Sequence, residues 1–406
     1  MSFKQKIRLF FLKIRALLLL LFFVVFELRK IKKAKHIFFF PFYHTGGAEK
    51  VHLNIVKAVY NPGNYVLFTD KSISDHLKSE FKKYAKVSSV YEFLNRNAIV
   101  RKWFTKLLIR TINSNRKTNV IFGCNSLFYY ELLPFVKQSV FKIDLVHAFS
   151  KPDYGIEIAS LPYVPFLDKR VVINRKTRND FKDLYHEHNL ERFNDRLIVI
   201  PNGIHFREHS ETKKQIKEPM TVGFIGRWEK EKRPELFLKI VNEFRNQPVK
   251  IKFVTAGTHT ESFEKEIIQA GIENLGEITT DAGMHELYQS LDVVLITSYR
   301  EGFPMVLMEA MAFGVIPIAT DVGSIGEHLS DGSNGFLVKN GNDLSEMADV
   351  FTTRLRFIVE NREKSLEIGE NASNYARTEF GIATFNQKYN DLFLSRSKSK
   401  SEYRQS

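Results

Sequence analysis

Val293-Val-Leu-Ile296 runs directly into Thr297-Ser-Tyr-Arg-Glu-Gly-Phe-Pro-Met-Val-Leu-Met-Glu-Ala-Met-Ala-Phe-Gly314. Four consecutive aliphatic residues, three of them β-branched, make a short strand buried on both faces, the habit of parallel sheets. A polar loop follows, and the spacing predicts a helix over 304–313. Pro304 suits its first turn, where a missing N–H is no loss. Strand, loop and helix in that order form the repeating unit of a parallel α/β sheet.

The same unit recurs on both sides of this stretch. Apolar runs at 36–42, 65–68, 87–91, 119–122, 143–147 and 170–174 predict six strands of a first series, with helices such as 47–60 and 98–116 between them. Runs at 197–200, 221–225, 251–255, 293–296, 316–319 and 335–338 predict a second series, with helices near 234–246, 284–290, 304–313 and 343–360. A chain of 406 residues is long enough for two such cores. The expected division is a basic, apolar-centred segment at 1–35, a first βα domain at 36–175 and a second at 176–375. A C-terminal helix at 376–395 is expected to return to the first domain, and 396–406 to form a disordered tail. The hinge is expected at 175–220, around Pro201-Asn-Gly203 and the polar stretch His205–Pro219.

Hydrophobic residues at 44% and charged residues at 26% are ordinary globular values, which exclude wholesale disorder and a multi-span membrane protein. Cys124 is the only cysteine, so there is no intrachain disulfide framework, and a reducing, cytoplasmic compartment is expected. The net charge of +14 sits mainly at one end. Residues 1–35 hold seven Lys and three Arg against Glu27, a net +9 that leaves +5 for the other 371 residues. No nucleic-acid partner is therefore expected.

Within that basic segment, Ala16–Phe26 is an unbroken apolar run of eleven. That is short of the roughly 20 residues a membrane span needs. A secretory signal would share the basic start and apolar centre, but a small-residue cleavage site is missing. A helix lying in the membrane interface, with Lys and Arg at anionic head groups, accounts for both features. A buried first helix is the alternative.

Chemistry is to be sought just after the strands, where open α/β sheets bind ligands. The amides of Met305, Val306 and Leu307 are expected to be free donors at a helix N-terminus, a site suited to a diphosphate. Glu301 precedes that terminus and is placed to meet sugar hydroxyls. Glu309 lies inside an apolar helix and needs a partner, such as ribose hydroxyls, to justify partial burial. After the first strand, Phe42-Tyr-His-Thr-Gly-Gly-Ala-Glu-Lys50 carries Gly46 and Gly47, which let backbone approach a phosphate or a sugar. No Gly-x-Gly-x-x-Gly accompanies them, which argues against a dinucleotide site. No Asp-x-Asp occurs, and no His, Asp and Glu cluster has metal-ligand spacing, so no metal is expected.

The spacing Glu301-x7-Glu309, with its Glu-Gly-Phe opening and Glu-Ala-Met-Ala continuation, resembles the signature of glycosyltransferase family 4. The likeness extends through Gly314, Pro317-Ile-Ala319, Gly323 and Asp331-Gly-Ser-Asn-Gly335-Phe-Leu-Val338. Ahead of it stand Val199-Ile-Pro-Asn-Gly-Ile204 and Phe224-Ile-Gly-Arg-Trp-Glu-Lys-Glu-Lys232. The resemblance implies the GT-B fold, two Rossmann-like βα domains facing each other across a cleft, here with an N-terminal amphipathic helix. It implies a retaining, hexosyl-transferring enzyme that uses a UDP- or GDP-sugar as co-substrate and needs no other cofactor.

It also assigns roles. Arg227 and Lys232 match the family's diphosphate-binding Arg and Lys, cations able to neutralise charge on the departing nucleoside diphosphate. Gly302, Phe303, Pro304, Met305 and Val306 belong to the donor loop, Glu309 to the ribose, and Gly46 and Gly47 to the acceptor side. His147 matches the histidine beside the donor sugar, with His44 as its competitor. A glycan acceptor, lipid-linked, at the inner face of a membrane in cell-surface polysaccharide synthesis completes the expectation. A catalytically silent nucleotide-sugar-binding subunit on the same scaffold is the alternative.

Overall fold

The computed structural model describes residues 21, 23–44, 46–95, 98–147, 149, 155–206, 216, 218–245, 247 and 250–402, with side chains to Ser395. The chain divides into two compact units. The first comprises Met1–Ile173, Arg178–Ile200 and Phe385–Ser406, and the second Asn174–Thr177 and Pro201–Thr384.

The first unit is built on β1 (His36–Phe40), β2 (Tyr65–Phe68), β3 (Lys86–Ser89), β4 (Val120–Cys124), β5 (Phe141–Val146), β6 (Lys169–Val172) and β7 (Leu197–Val199). All neighbouring strands are parallel, in the order β3-β2-β1-β4-β5-β6-β7. Helices α1 (Gly47–Ala58) and α2 (Ala98–Ser114) cross between strands. Every residue of β1 is buried, because helices cover both faces of a parallel sheet and leave its strands no wet side. Val100, Phe104, Leu108 and Ile112 form the buried stripe of α2, at helical spacing.

The second unit repeats the plan with β8 (Met220–Ile225), β9 (Ile251–Ala256), β10 (Glu273–Asn274), β11 (Val293–Ile296), β12 (Ile316–Thr320) and β13 (Phe336–Val338). The order is β10-β9-β8-β11-β12-β13, again all parallel. Its helices include α3 (Pro234–Phe244), α4 (Asp281–Ser290), α5 (Met305–Ala312), α6 (Leu344–Glu360) and α7 (Arg362–Glu379). In both sheets the order reverses beside the first strand, between β1 and β4 and between β8 and β11. Such reversals leave a crevice at the carboxyl ends of the two strands, because their following connections run to opposite sides.

Two expectations are corrected here. The strand at 197–200 belongs to the first sheet: Leu197, Ile198 and Val199 pair with Arg170, Val171 and Val172, so the chain passes finally into the second unit after Ile200 and not at 175. Residues 396–402 are helical, the end of α8 (Ile382–Glu402); residues 403–406 lie outside the described residues. From Phe385 this helix belongs to the first unit, where Phe393 packs against His36 at 5.1 Å and Phe38 at 6.0 Å between ring centroids. The polar stretch at the expected hinge lies largely outside the described residues.

Of the N-terminal segment, residues 1–20 and 22 lie outside the described residues. The part that follows packs on the first unit. Phe23 is buried between Phe93 and Phe104, each 5.3 Å away between centroids, and Ile31 and Ala34 are buried too. Glu27 accepts hydrogen bonds from Lys30 (2.6 Å), Ser88 (3.2 Å) and the hydroxyl of Tyr65. Val25 and Phe26 remain exposed. Among the described residues, no helix is long and apolar enough to cross a membrane.

Candidate active site

In the second unit the loops after β8 and β11 meet at the switch point. The first holds Arg227 and Lys232, and the second holds Glu301. Four contacts sew the loops together. Thr297 Oγ1 donates to the carbonyls of Lys232 (2.7 Å) and Arg233 (3.1 Å), and the Tyr299 amide donates to the Glu231 carbonyl (3.1 Å). The fourth joins side chains: Lys232 Nζ lies 2.5 Å from Glu301 Oε1, which also accepts from Ser298 Oγ at 2.7 Å. Glu301 is 9% exposed at its side chain and Lys232 21%, so this pair is mostly withdrawn from water. Arg227 is exposed and pairs with Glu229 at 3.5 Å.

The Glu301 loop is fixed from beneath. Gly302 O accepts from the amide (3.0 Å) and hydroxyl (2.9 Å) of Ser324. A Cβ at Gly323, whose φ is +61°, would stand 2.0 Å from the Glu301 carbonyl oxygen, so only glycine lets the two backbones pass. Phe303 is buried against His328 and Phe380, at 4.5 and 5.2 Å between centroids.

Helix α5 begins at Met305, with extended Pro304 as its N-cap (φ −73°, ψ 131°), one residue later than expected. The Leu307 amide bonds to the Pro304 carbonyl at 3.1 Å, which removes it from the expected set of free donors. Met305 and Val306 stay in the first turn, where helix geometry supplies no acceptor. Glu309 accepts from the Tyr288 hydroxyl at 2.7 Å. Its partial burial thus has a partner within the protein, and a ribose is not needed to explain it. Burial, with Glu309 beside it, pushes the Tyr288 hydroxyl well up, so this phenol stays a donor.

In the first unit the candidate residues again follow the switch-point strands. Gly46 caps α1 in an extended conformation, and a Cβ there would lie 2.2 Å from Glu49 Oε2. The buried Glu49 carboxylate therefore folds back over the helix N-terminus beside Gly46 and Gly47. That carboxylate can accept from a hydroxyl-bearing ligand at this turn. His44 lies 3.9 Å from Glu49 and against Phe42. His147, just past β5, is half-buried, and its Nε2 lies 3.2 Å from Nε2 of His52 on α1.

Two features had no signal in the sequence. His52, Cys124 and His147 come together with their ligand atoms within 4.8 Å of one another, among the described residues the one group able to hold a metal ion. They are 72 and 23 positions apart in sequence and meet only because α1, β4 and β5 converge. Beside them, Arg170 is fully buried and paired with Asp144 at 2.6 Å, with Tyr130 donating to Asp144 and Arg170 donating to Ser160 and Tyr185. A buried Arg on one strand and a buried Asp on its neighbour read as ordinary strand residues until the register pairs them.

Residues 206–375 match the family described as Glycosyl transferases group 1. The chain is 25% identical over 243 residues to the D-inositol 3-phosphate glycosyltransferase of Corynebacterium efficiens, covering 54% of this chain and 56% of that protein. It is 25% identical over 205 residues to the GalNAc-alpha-(1->4)-GalNAc-alpha-(1->3)-diNAcBac-PP-undecaprenol alpha-1,4-N-acetyl-D-galactosaminyltransferase of Campylobacter jejuni, covering 49% and 55%. The matches thus span little more than half the length of these relatives. Among solved structures, Anabaena HepE in complex with UDP-glucose is similar with a TM-score of 0.70 at 16% identity, covering 89% of this chain and 99% of that one. The fold is GT-B, two Rossmann-like domains.

Proposed function

We propose that this chain is a retaining, metal-independent glycosyltransferase of family 4. It moves a hexosyl group from a UDP- or GDP-sugar to a glycan acceptor, lipid-linked, in cell-surface polysaccharide synthesis at the inner face of a membrane. The observation that carries the proposal is the Lys232–Glu301 pair at the β8–β11 switch point, next to the first turn of α5. It sets a cation and a carboxylate side by side, which is what a sugar diphosphate requires: charge neutralisation at one end and hydroxyl acceptors at the other.

Arg227, Lys232 and the amides of Met305 and Val306 hold the diphosphate, and the loop Gly302-Phe303-Pro304 shapes the site around it. Glu301 takes the sugar, Glu309 the ribose, and Gly46 and Gly47 the acceptor side. His147 stands by the transferred sugar. In the reaction the bond from the anomeric carbon to the diphosphate oxygen breaks, and the acceptor oxygen bonds to the same face of that carbon. The acceptor proton passes to the leaving phosphate oxygen. Stabilising charge on that oxygen is the main electrostatic demand, and fixed cations meet it without reorganisation. The UDP-glucose bound by Anabaena HepE and the undecaprenol-linked substrate in the name of the Campylobacter jejuni relative support the donor and acceptor classes.

The test is a thermal-shift screen of UDP, GDP, ADP and their sugars, followed by transfer assays with polyprenyl-diphosphate glycans. A ligand bound only by the folded chain raises Tm with occupancy. No shift with any nucleotide would sink the donor site, and binding without transfer to any acceptor would favour a silent subunit. The membrane part is tested by deleting residues 1–20, which spares the packed Phe23–Ala34 portion. A deleted chain that still sediments fully with membranes would refute that part.

A further inference from the structure

His52 is completely buried on α1, its ring stacked flat on Phe40 at 4.3 Å and 3°. Its Nε2 faces Nε2 of His147 at 3.2 Å, and its Nδ1 is buried with no hydrogen-bond partner. A contact of this length between two ring nitrogens holds one proton: one ring donates and the other accepts. The orphaned Nδ1 decides which. Were His52 the acceptor, its proton would sit on Nδ1, leaving a buried N–H unpaired, the costlier kind of orphan. With His52 as the donor, Nδ1 is a bare lone pair.

We propose that His52 is a positioning residue that donates its Nε2–H to Nε2 of His147, holding His147 as the Nδ1–H tautomer. His147 then meets the reaction as a hydrogen-bond donor, because its Nε2 lone pair is already engaged and cannot take a proton from the acceptor. This deepens the proposed function and rests on His147 standing at the transferred sugar. Burial keeps both rings neutral, lowering His147 to about 4 and His52 well below its ordinary value. A metal held with Cys124 is the competing account of two facing nitrogens. It would require the Nδ1–H form of His52, the orphan just described, since a ligating histidine ordinarily donates its other N–H to an acceptor.

The experiment is long-range proton–nitrogen correlation on the full chain labelled with 15N-histidine. The signals among the twelve histidines are assigned with His52→Phe and His147→Ala. The expected result is His52 as Nε2–H and His147 as Nδ1–H at neutral pH. In His52→Phe the His147 signal moves toward the Nε2–H form, and kcat falls about tenfold, the worth of one oriented hydrogen bond, with KM for the donor little changed. His52→Gln, whose amide also donates, restores part of that loss. An Nε2–H His147 in the unmodified chain overturns the proposal, as does one equivalent of zinc by elemental analysis. If the tautomers are as stated but His147→Ala transfers sugar at the full rate, the pairing stands and the place of His147 in the reaction is what fails.

Discussion

Lys232 and Glu301 are 69 residues apart in the chain and 2.5 Å apart in space, joined across the two loops that follow β8 and β11. The pair is mostly buried, so each charge depends on the other. In Lys232→Ala the Glu301 carboxylate keeps Ser298 but loses its counter-charge, and stability is expected to fall by about 1–3 kcal/mol. Nucleotide-sugar binding should weaken in the same variant. Glu301→Gln keeps the shape and the Ser298 contact. It is expected to leave nucleotide binding within a few-fold while lowering kcat about 100-fold, the size of a transition-state hydrogen bond lost at a buried site. Calorimetric titration with UDP and GDP beside transfer kinetics checks both; undiminished transfer by Glu301→Gln would remove Glu301 from the site.

Gly323→Ala is a test of loop geometry without a change of charge. The added methyl group meets the Glu301 carbonyl oxygen at 2.0 Å and a positive φ, so the loop must shift. Nucleotide affinity is expected to fall tenfold or more by about the same free energy as the strain, roughly 1–3 kcal/mol. A variant with unchanged affinity and Tm would show that the loop adjusts freely.

Asp144 and Arg170 form a fully buried pair in the first sheet. Removing one partner leaves the other charge uncompensated, at a cost of about 3–5 kcal/mol. Asp144→Ala is therefore expected to lower the urea midpoint of the first unit sharply. A double replacement by apolar residues of similar volume should recover much of that loss. A single variant within 1 kcal/mol of the parent, about the effect of a surface change, would mean that water reaches the site.

His36 predicts the direction of acid sensitivity. Burial, and secondarily the charge of Lys35, lowers its pKa to about 4. The unfolded chain binds a proton near pH 6.5, whereas the folded chain does not until about pH 4, so stability rises with pH across that window and is lost as pH falls through it. The shift corresponds to roughly 3 kcal/mol by pH 4. His52 and His147 act in the same direction. His36→Leu should flatten the dependence of Tm between pH 6.5 and 4.5; an identical slope would contradict the assignment.

Most of the architecture was legible in the chain because parallel strands buried on both faces are written as short apolar runs. The run Val293–Ile296 and the turn at Pro304 placed the strand and the helix start to within a residue. The strand at 197–199 was assigned to the wrong sheet for a physical reason: an apolar run states that a strand exists, and its neighbour is chosen by tertiary pairing. Glu309 shows the same limit. Its partly apolar surroundings called for a partner, and only the approach of α4 supplied Tyr288.

Local spacing along the chain determined the alternation of strands and helices, the Glu301–Glu309 segment and the cations Arg227 and Lys232, because each is set by residues within a few turns of one another. The contacts that give those residues their chemistry lay beyond its reach. Lys232 against Glu301, His52 against His147 and Asp144 against Arg170 are separated by 69, 95 and 26 positions. Such pairs form where the sheet order brings distant strand ends together, and no periodicity in a one-dimensional chain records that approach.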